Sequence, residues 1–249
     1  MNQKVYNILW TSGWDSTFRL ADLILVKGKI VQPFYVIDEN RPSTSIELER
    51  MDEIRNQLYS KNKSAKERLL PTIANRVSEI PKNKEIATSM HLLRQQSFLG
   101  SQYIFLASFA LHHNIQDLEL CIHKDDNAHR FLEQYVNKII DSEGELTYKL
   151  KEDAADPNLH TVFDRFLFPV FEWTKTEMDV YAQQHDFKEI MENTWFCHKP
   201  LRNKQPCGLC NPCIYTRNEG LGRRVPNPTI LDRLEYNYGR AIRKIKTMI

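Results

Sequence analysis

"LWTSGWDSTFRL", Leu9 to Leu20, decides how this chain is read. Residues Lys4 to Trp10 alternate and then run apolar, the pattern of a buried strand. They end in a turn of small, hydroxyl-bearing residues with an acid, Asp15, at its centre, and Ser16 or Thr17 can cap the helix that follows. That helix keeps Phe18, Leu20, Leu23 and Ile24 at helical spacing up to a Lys27-Gly28 stop, after which "IVQPFYVID" supplies a second strand. Strand, helix and strand within about forty residues imply a βαβ unit and a parallel sheet. Ligands of such sheets sit beyond the carboxyl ends of the strands, and the first strand-to-helix turn is the usual phosphate site. Small residues let backbone N–H groups approach phosphate oxygens, and the hydroxyls of Thr11, Ser12, Ser16 and Thr17 add donors. An acid within an anion site repels phosphate unless it holds Mg²⁺ or braces the loop, so Asp15 needs one of those two roles.

Further along, Thr44-Ser45-Ile46-Glu47 reads as a capping box opening a helix with Leu48, Met51, Ile54 and Leu58 on one face. Residues Lys61 to Lys84 are charged and weakly amphipathic, a helical insertion with loops. Gly100 to His113 is a strongly apolar helix, and "DLELCI" a short buried strand running into His123-Lys124-Asp125-Asp126-Asn127. A helix from Ala128 to Ile139, a hairpin-like region of little signal, a strand in "FDRFLFPVFEW" and a second capping box, Thr174-Lys175-Thr176-Glu177, complete the walk. The alternation of β and α predicts an α/β fold, an open parallel sheet with helices on both faces.

The 249 residues suffice for one large domain with a small appendage, and the composition is that of an ordinary soluble protein. The longest apolar stretch, Tyr103 to Leu111, is too short to span a bilayer, and the N-terminus lacks the pattern of a secretory leader. Cytoplasm is the expected location. Net charge is +2 overall but +8 from Cys197 onward. Such an asymmetry hints at an anionic ligand near the C-terminal part, or at a solvated basic face.

Four of the five cysteines, Cys197, Cys207, Cys210 and Cys213, fall within seventeen residues. In a cytosolic chain such clustering argues for metal rather than disulfides. Four thiolates with no open position make a structural zinc site, with Gly208 easing the knuckle and His198 a spare ligand. An iron–sulfur cluster takes the same ligands, but the fourth cysteine lies upstream and Cys213 is followed by Ile-Tyr-Thr-Arg, which favours zinc.

The turn contains neither G-x-x-x-x-G-K-[ST] nor G-x-G-x-x-G. It resembles the S-G-G-x-D-S signature of the PP-loop ATP pyrophosphatases, with Thr11, Ser12, Gly13, Trp14, Asp15 and Ser16 in register. Ser12 stands where the first glycine belongs, so a positive φ there carries strain. The cysteine-rich stretch, with Arg217 beyond it, resembles the zinc-binding end of the 7-cyano-7-deazaguanine synthase family. "LELCIHKDD" resembles that family's I-G-x-N-x-x-D strand, with Asp126 at the acid and Cys121 at the glycine. "FPVFEWTKTEM" resembles its P-x-x-x-x-T-K-x-E segment through Pro169, Thr174, Lys175 and Glu177.

The resemblance implies an adenine-nucleotide alpha-hydrolase-like, Rossmann-like domain over residues 1–190 and a zinc-binding, basic helical region over 191–249. It implies a ligase that adenylates a carboxylate, releases pyrophosphate, and uses ammonia and a second ATP to reach a nitrile. Leu9, Trp10, Thr11, Ser12, Gly13, Trp14, Asp15, Ser16 and Thr17 would then hold ATP, and Asp15, Lys175 and Asp126 would serve catalysis with Mg²⁺. The partners are a small-molecule carboxylate and ammonia, with a homodimer as a further option and no membrane. Two segments depart from the family pattern, "VIDENRPST" and the region around "FLGSQY", and both belong to the substrate side. A relative adenylating another acceptor, for protein or nucleic-acid modification as in an antiviral system, therefore stays open, as does a zinc-containing nucleic-acid-binding module without catalysis.

Overall fold

A computed structural model describes residues 4–246, with side chains as far as residue 239. Among the described residues seven strands form one sheet: β1 (Val5–Leu9), β2 (Ile30–Ile37), β3 (Ile73–Arg76), β4 (Leu118–Glu119), β5 (Val136–Ile140), β6 (Leu146–Leu150) and β7 (Phe166–Leu167). The helices are α1 (Trp14–Ala21), α2 (Thr44–Lys61), α3 (Ala65–Arg68), α4 (Lys84–Gln96), α5 (Gln102–His112), α6 (Asn127–Leu132), α7 (Pro157–Phe163), α8 (Lys175–Gln184), α9 (Lys188–Glu192), α10 (Asn211–Thr216) and α11 (Ile230–Lys246).

The spatial order is β3-β2-β1-β4-β7-β6-β5. β3, β2, β1, β4 and β7 pair in parallel, whereas β6 runs antiparallel to both its neighbours, so the expected parallel sheet is a mixed one. Alternation along the strands gives the sheet two buried faces. Tyr6 and Ile8 of β1 and Val31 and Tyr35 of β2 pack with Phe18 of α1, Ile54 of α2 and Met178 of α8. Leu9, Phe34 and Val36 belong to the other core, with Met90 of α4, Phe109 of α5 and Phe163 of α7. The chain leaves β1 toward β2 and returns to β4 on the opposite side. The crevice between the carboxyl ends of β1 and β4 is therefore the place where such a sheet receives ligands.

Several local expectations give way to tertiary context. α1 starts at Trp14 with Gly13 as its N-cap, ahead of the hydroxyls expected to cap it. Glu47 does not cap α2; it is buried and accepts from Ser43 Oγ and Tyr35 OH, tying the helix to β2. The helix expected to reach Ile139 stops at Leu132, because Val136–Ile140 pairs with Leu146–Leu150 as a hairpin. Its turn is closed by Asp141 Oδ1, which accepts the Glu143 and Glu145 amides, and by Gly144 at φ +81°. The charged insertion contains α3 and the exposed edge strand β3.

One buried charge group joins α1 to β4 and the hairpin. Arg19 donates from Nε and Nη2 to both oxygens of Glu119, at 3.0 and 2.7 Å, and from Nη1 to Glu145 at 3.3 Å. Asp22 stands 3.6 Å from Nη1, and Lys27 pairs with both Asp22 and Glu145. Removing one member of a buried pair strands the other charge, whereas replacing both is often neutral. Arg19→Met should therefore lower stability in urea unfolding by about 3–5 kcal/mol, and Arg19→Met combined with Glu119→Leu should recover most of it. A loss below about 1 kcal/mol in the single variant would mean that the pair does not anchor the helix.

Candidate functional site

A cavity of about 960 Å³ opens at that crevice. Leu9, Thr11, Gly13, Asp15 and Ser16 line it from the β1–α1 turn, with Phe34 and Val36 from β2 and Leu120, Cys121 and His123 from the segment after β4. α8 contributes Lys175 at its first turn, and the segment after α10 contributes Asn218, Glu219 and Gly220.

The turn itself is built by strain and hydrogen bonds. Ser12 adopts φ +56°, the left-handed conformation that glycine takes without cost, at about 1–3 kcal/mol for another residue. Its carbonyl accepts the Trp195 amide at 2.9 Å, fastening the turn to the chain just before Cys197. Of the nine turn residues singled out by sequence, Trp10 and Thr17 are turned into the core, where the indole Nε1 donates to Thr17 Oγ1 at 3.0 Å. Trp14 is also buried, beneath the Arg224 guanidinium 4.9 Å from its ring centroid, and lines a separate cavity of about 160 Å³. Its indole does not line the main cavity.

Buried polar atoms without a hydrogen-bond partner in the chain gather here: Ser12 Oγ, Asp15 Oδ1, and both ring nitrogens of His123. Such atoms take partners from water or a ligand.

Four titratable side chains from four parts of the chain close a ring in which acids and bases alternate. Lys175 Nζ donates to Glu219 Oε2 at 2.6 Å and stands 4.0 Å from Asp15 Oδ2. The His123 ring lies between the two acids, Nδ1 3.6 Å from Asp15 and Nε2 3.8 Å from Glu219. Burial alone lowers the His123 and Lys175 pKa values, but Asp15 and Glu219 outweigh it and raise both. Burial would raise Glu219, yet His123 and Lys175 hold it at about 2. Asp126 lines the cavity too, but its side chain caps α6 by accepting the Ala128 amide. Sequence reasoning brought Asp15 and Lys175 forward and left out His123 and Glu219. His123 lay within the polar cluster after β4, while Glu219 has no local signal, since only folding brings it to Lys175.

A depressed carboxylate pKa contributes stability above its unfolded value that is lost as pH falls toward the folded one. From the ordinary 4.5 down to about 2, the Glu219 pairing should lose about 3 kcal/mol. His123 and Lys175 are protonated in both folded and unfolded states throughout that window and add nothing to the change. The protection factors of residues 217–221, that is exchange corrected for its intrinsic pH dependence, should fall on acidification from pH 5 to 3, and Glu219→Gln should abolish that fall. An unchanged acid response in the variant would place its origin elsewhere.

The four cysteines form the candidate metal centre. Sγ–Sγ separations are 3.6 Å for Cys197–Cys207, 3.8 Å for Cys197–Cys210, 3.9 Å for Cys207–Cys213 and 3.5 Å for Cys210–Cys213. Thiolates bound to one tetrahedral ion at about 2.3 Å stand about 3.8 Å apart, while a disulfide needs about 2.0 Å. The amides of Leu209 and Cys210 donate to Cys207 Sγ at 3.4 and 3.3 Å, the outer shell a metal thiolate takes. Gly208 is at φ +69°, where a Cβ would stand 2.6 Å from the Pro226 carbonyl oxygen. Cys210 caps α10 and Cys213 lies in its first turn, so the centre fixes the helix whose extension delivers Glu219 to Lys175. The set is complete with four sulfurs, and His198 lines the main cavity instead.

Three of the basic side chains after Cys197 are answered within the chain. Arg223 pairs with Asp179 and Glu192, Arg224 with Glu192, and Lys204 with Glu49. Among the described residues no helix is long and apolar enough to cross a membrane. No protein-family model matches the chain, and no curated protein matches it.

Proposed function

We propose that this protein is a PP-loop ATP pyrophosphatase that adenylates a carboxylate and releases pyrophosphate, in the manner of 7-cyano-7-deazaguanine synthase. The observation that carries this reading is the left-handed Ser12 at the β1–α1 turn, which gives a glycine-type phosphate bend facing a large cavity at the sheet's switch point. Amides of the first helical turn have no intrahelical acceptor and carry the positive end of the helix dipole. Those of Trp14, Asp15 and Ser16 would face the β and γ phosphates, with Thr11 and Ser16 hydroxyls beside them. Lys175 would balance the charge of the leaving pyrophosphate. The apolar wall of Phe34, Val36 and Leu120 suits a nucleobase.

The cavity carries Asp15, Asp38, Asp125, Asp126 and Glu219 against Arg41, Arg130 and Lys175, so a triphosphate enters only with its own cation. Mg²⁺ would supply that charge, and Asp15, with an oxygen unpartnered in the chain, would be the residue to hold it. A carboxylate oxygen then attacks the α-phosphorus, the bond to the β-phosphate oxygen breaks, and an amine displaces AMP from the acyl group. In the cysteine centre we propose zinc, since the sulfur spacing suits one ion rather than a cluster whose ligands sit on separate irons.

ATP labelled at the α-phosphorus, Mg²⁺, ammonia and a panel of carboxylates headed by 7-carboxy-7-deazaguanine test the reading. Labelled AMP and free pyrophosphate are the expected products, with nitrile if that carboxylate is the substrate. Labelled ADP, or no turnover with any carboxylate, would overturn it.

A further inference from the structure

Lys175 stands 4.0 Å from Asp15 of the β1–α1 turn, and its ammonium is already held by Glu219 at 2.6 Å. Glu219 is the least regular part of its segment: its own backbone (φ −87°, ψ 21°) and that of Gly220 (φ +85°) break the helical turn between α10 and Leu221. Gly220 has to be glycine for this approach, because a Cβ would stand 2.4 Å from Cγ2 of Thr176, the residue after Lys175. The segment is thus pressed against the first turn of α8 with its carboxylate aimed at the amine. A phosphate oxygen asking for Lys175 meets an anion in its place. Two like charges cannot share one ammonium at close range without mutual repulsion.

We infer that Glu219 is an internal competitor for the phosphate seat: its carboxylate holds Lys175 in the resting site, yields it to an incoming phosphate, and reclaims it as pyrophosphate departs. This deepens the adenylation reading and rests on it for the identity of the leaving anion. Glu219 thereby acts as a specificity-determining and release-promoting residue. It sets a threshold of ligand charge below which Lys175 stays paired, so a ligand with one phosphate group binds more weakly than pyrophosphate. It also couples the cysteine centre to the cavity, since α10 carries both Cys213 and the extension that bears Glu219.

The test uses the full-length, metal-loaded chain and its Glu219→Gln variant, titrated calorimetrically with pyrophosphate and Mg²⁺. The variant, folded and matched to the wild type in metal content, should bind pyrophosphate about tenfold more tightly, and inhibition of turnover by added pyrophosphate should strengthen by the same factor. Binding that is unchanged or weaker in the variant overturns the inference. A measurement on the wild type alone guards against a variant that does not fold: in a crystal soaked with Mg²⁺ and pyrophosphate, Lys175 Nζ should have left Glu219 for a phosphate oxygen. Retention of the Lys175–Glu219 bond with pyrophosphate bound overturns the inference as well. A wild type that forms no AMP from any carboxylate defeats the adenylation reading instead, and tighter pyrophosphate binding by the variant would still uphold the competition.

Discussion

Replacing Cys213 with serine is expected to strip the metal from the protein and to dissolve one wall of the cavity. Structural zinc centres hold apparent binding energies of about 10–16 kcal/mol, and that energy is also folding energy for the segment they tie. Cys213 sits in the first turn of α10, and Trp195, whose indole Nε1 donates to the Cys197 carbonyl at 2.7 Å, holds the Ser12 carbonyl through its amide. Both Glu219 and the β1–α1 turn therefore depend on the centre from opposite sides. Changes to residues that only support a metal's ligands already cost about 10–100-fold in affinity, so loss of a ligand should exceed that. Elemental analysis should find one equivalent of metal in the wild type and far less in Cys213→Ser. Chelation of the wild type should produce the same loss of nucleotide binding. Full nucleotide binding by a metal-free chain would separate the centre from the cavity.

Lys175→Ala is expected to lower the rate of AMP formation by about 10²–10³-fold, the usual loss when one preorganised electrostatic partner of a transition state is removed. The side chain is nearly buried between Asp15 and Glu219, so alanine leaves two facing carboxylates without their shared cation. The main effect should fall on turnover, because pyrophosphate gains charge as the α–β bridge breaks. Steady-state kinetics with ATP varied would check this. A variant with normal turnover and only a raised KM for ATP would make Lys175 a ground-state binding residue.

What could be read in the residues themselves was local and strongly patterned. The β1–α1 turn, the Thr174–Glu177 capping box and the cysteine spacing each sit within a few consecutive turns of chain: the capping box forms as read, the four cysteines come together, and the turn follows its strand with the helix cap moved to Gly13. Ser12, at which a positive φ was expected to carry strain, does take the left-handed backbone. The β5–β6 hairpin was nearly invisible, since Val136–Ile140 continues a run that also suits a helix and only pairing with Leu146–Leu150 decides it. The edge strand β3 was lost in a charged stretch because an exposed edge needs no alternation. His123 and Glu219 were missed for a different reason: their significance comes from meeting Asp15 and Lys175 across separations that no local pattern records. The basic C-terminal excess looked like a ligand's counter-charge, and three of its members, Lys204, Arg223 and Arg224, instead face Glu49, Asp179 and Glu192 of the same chain.

The central claim is that the bend from Thr11 to Ser16 seats the outer phosphates of ATP. A crystal structure with α,β-methylene-ATP and Mg²⁺ tests it most directly. The β and γ phosphate oxygens should lie within about 3 Å of the Trp14, Asp15 and Ser16 amides, with the α-phosphorus toward the open cavity. Phosphates bound elsewhere, or that bend still occupied only by the chain's own groups at saturating nucleotide, would contradict it.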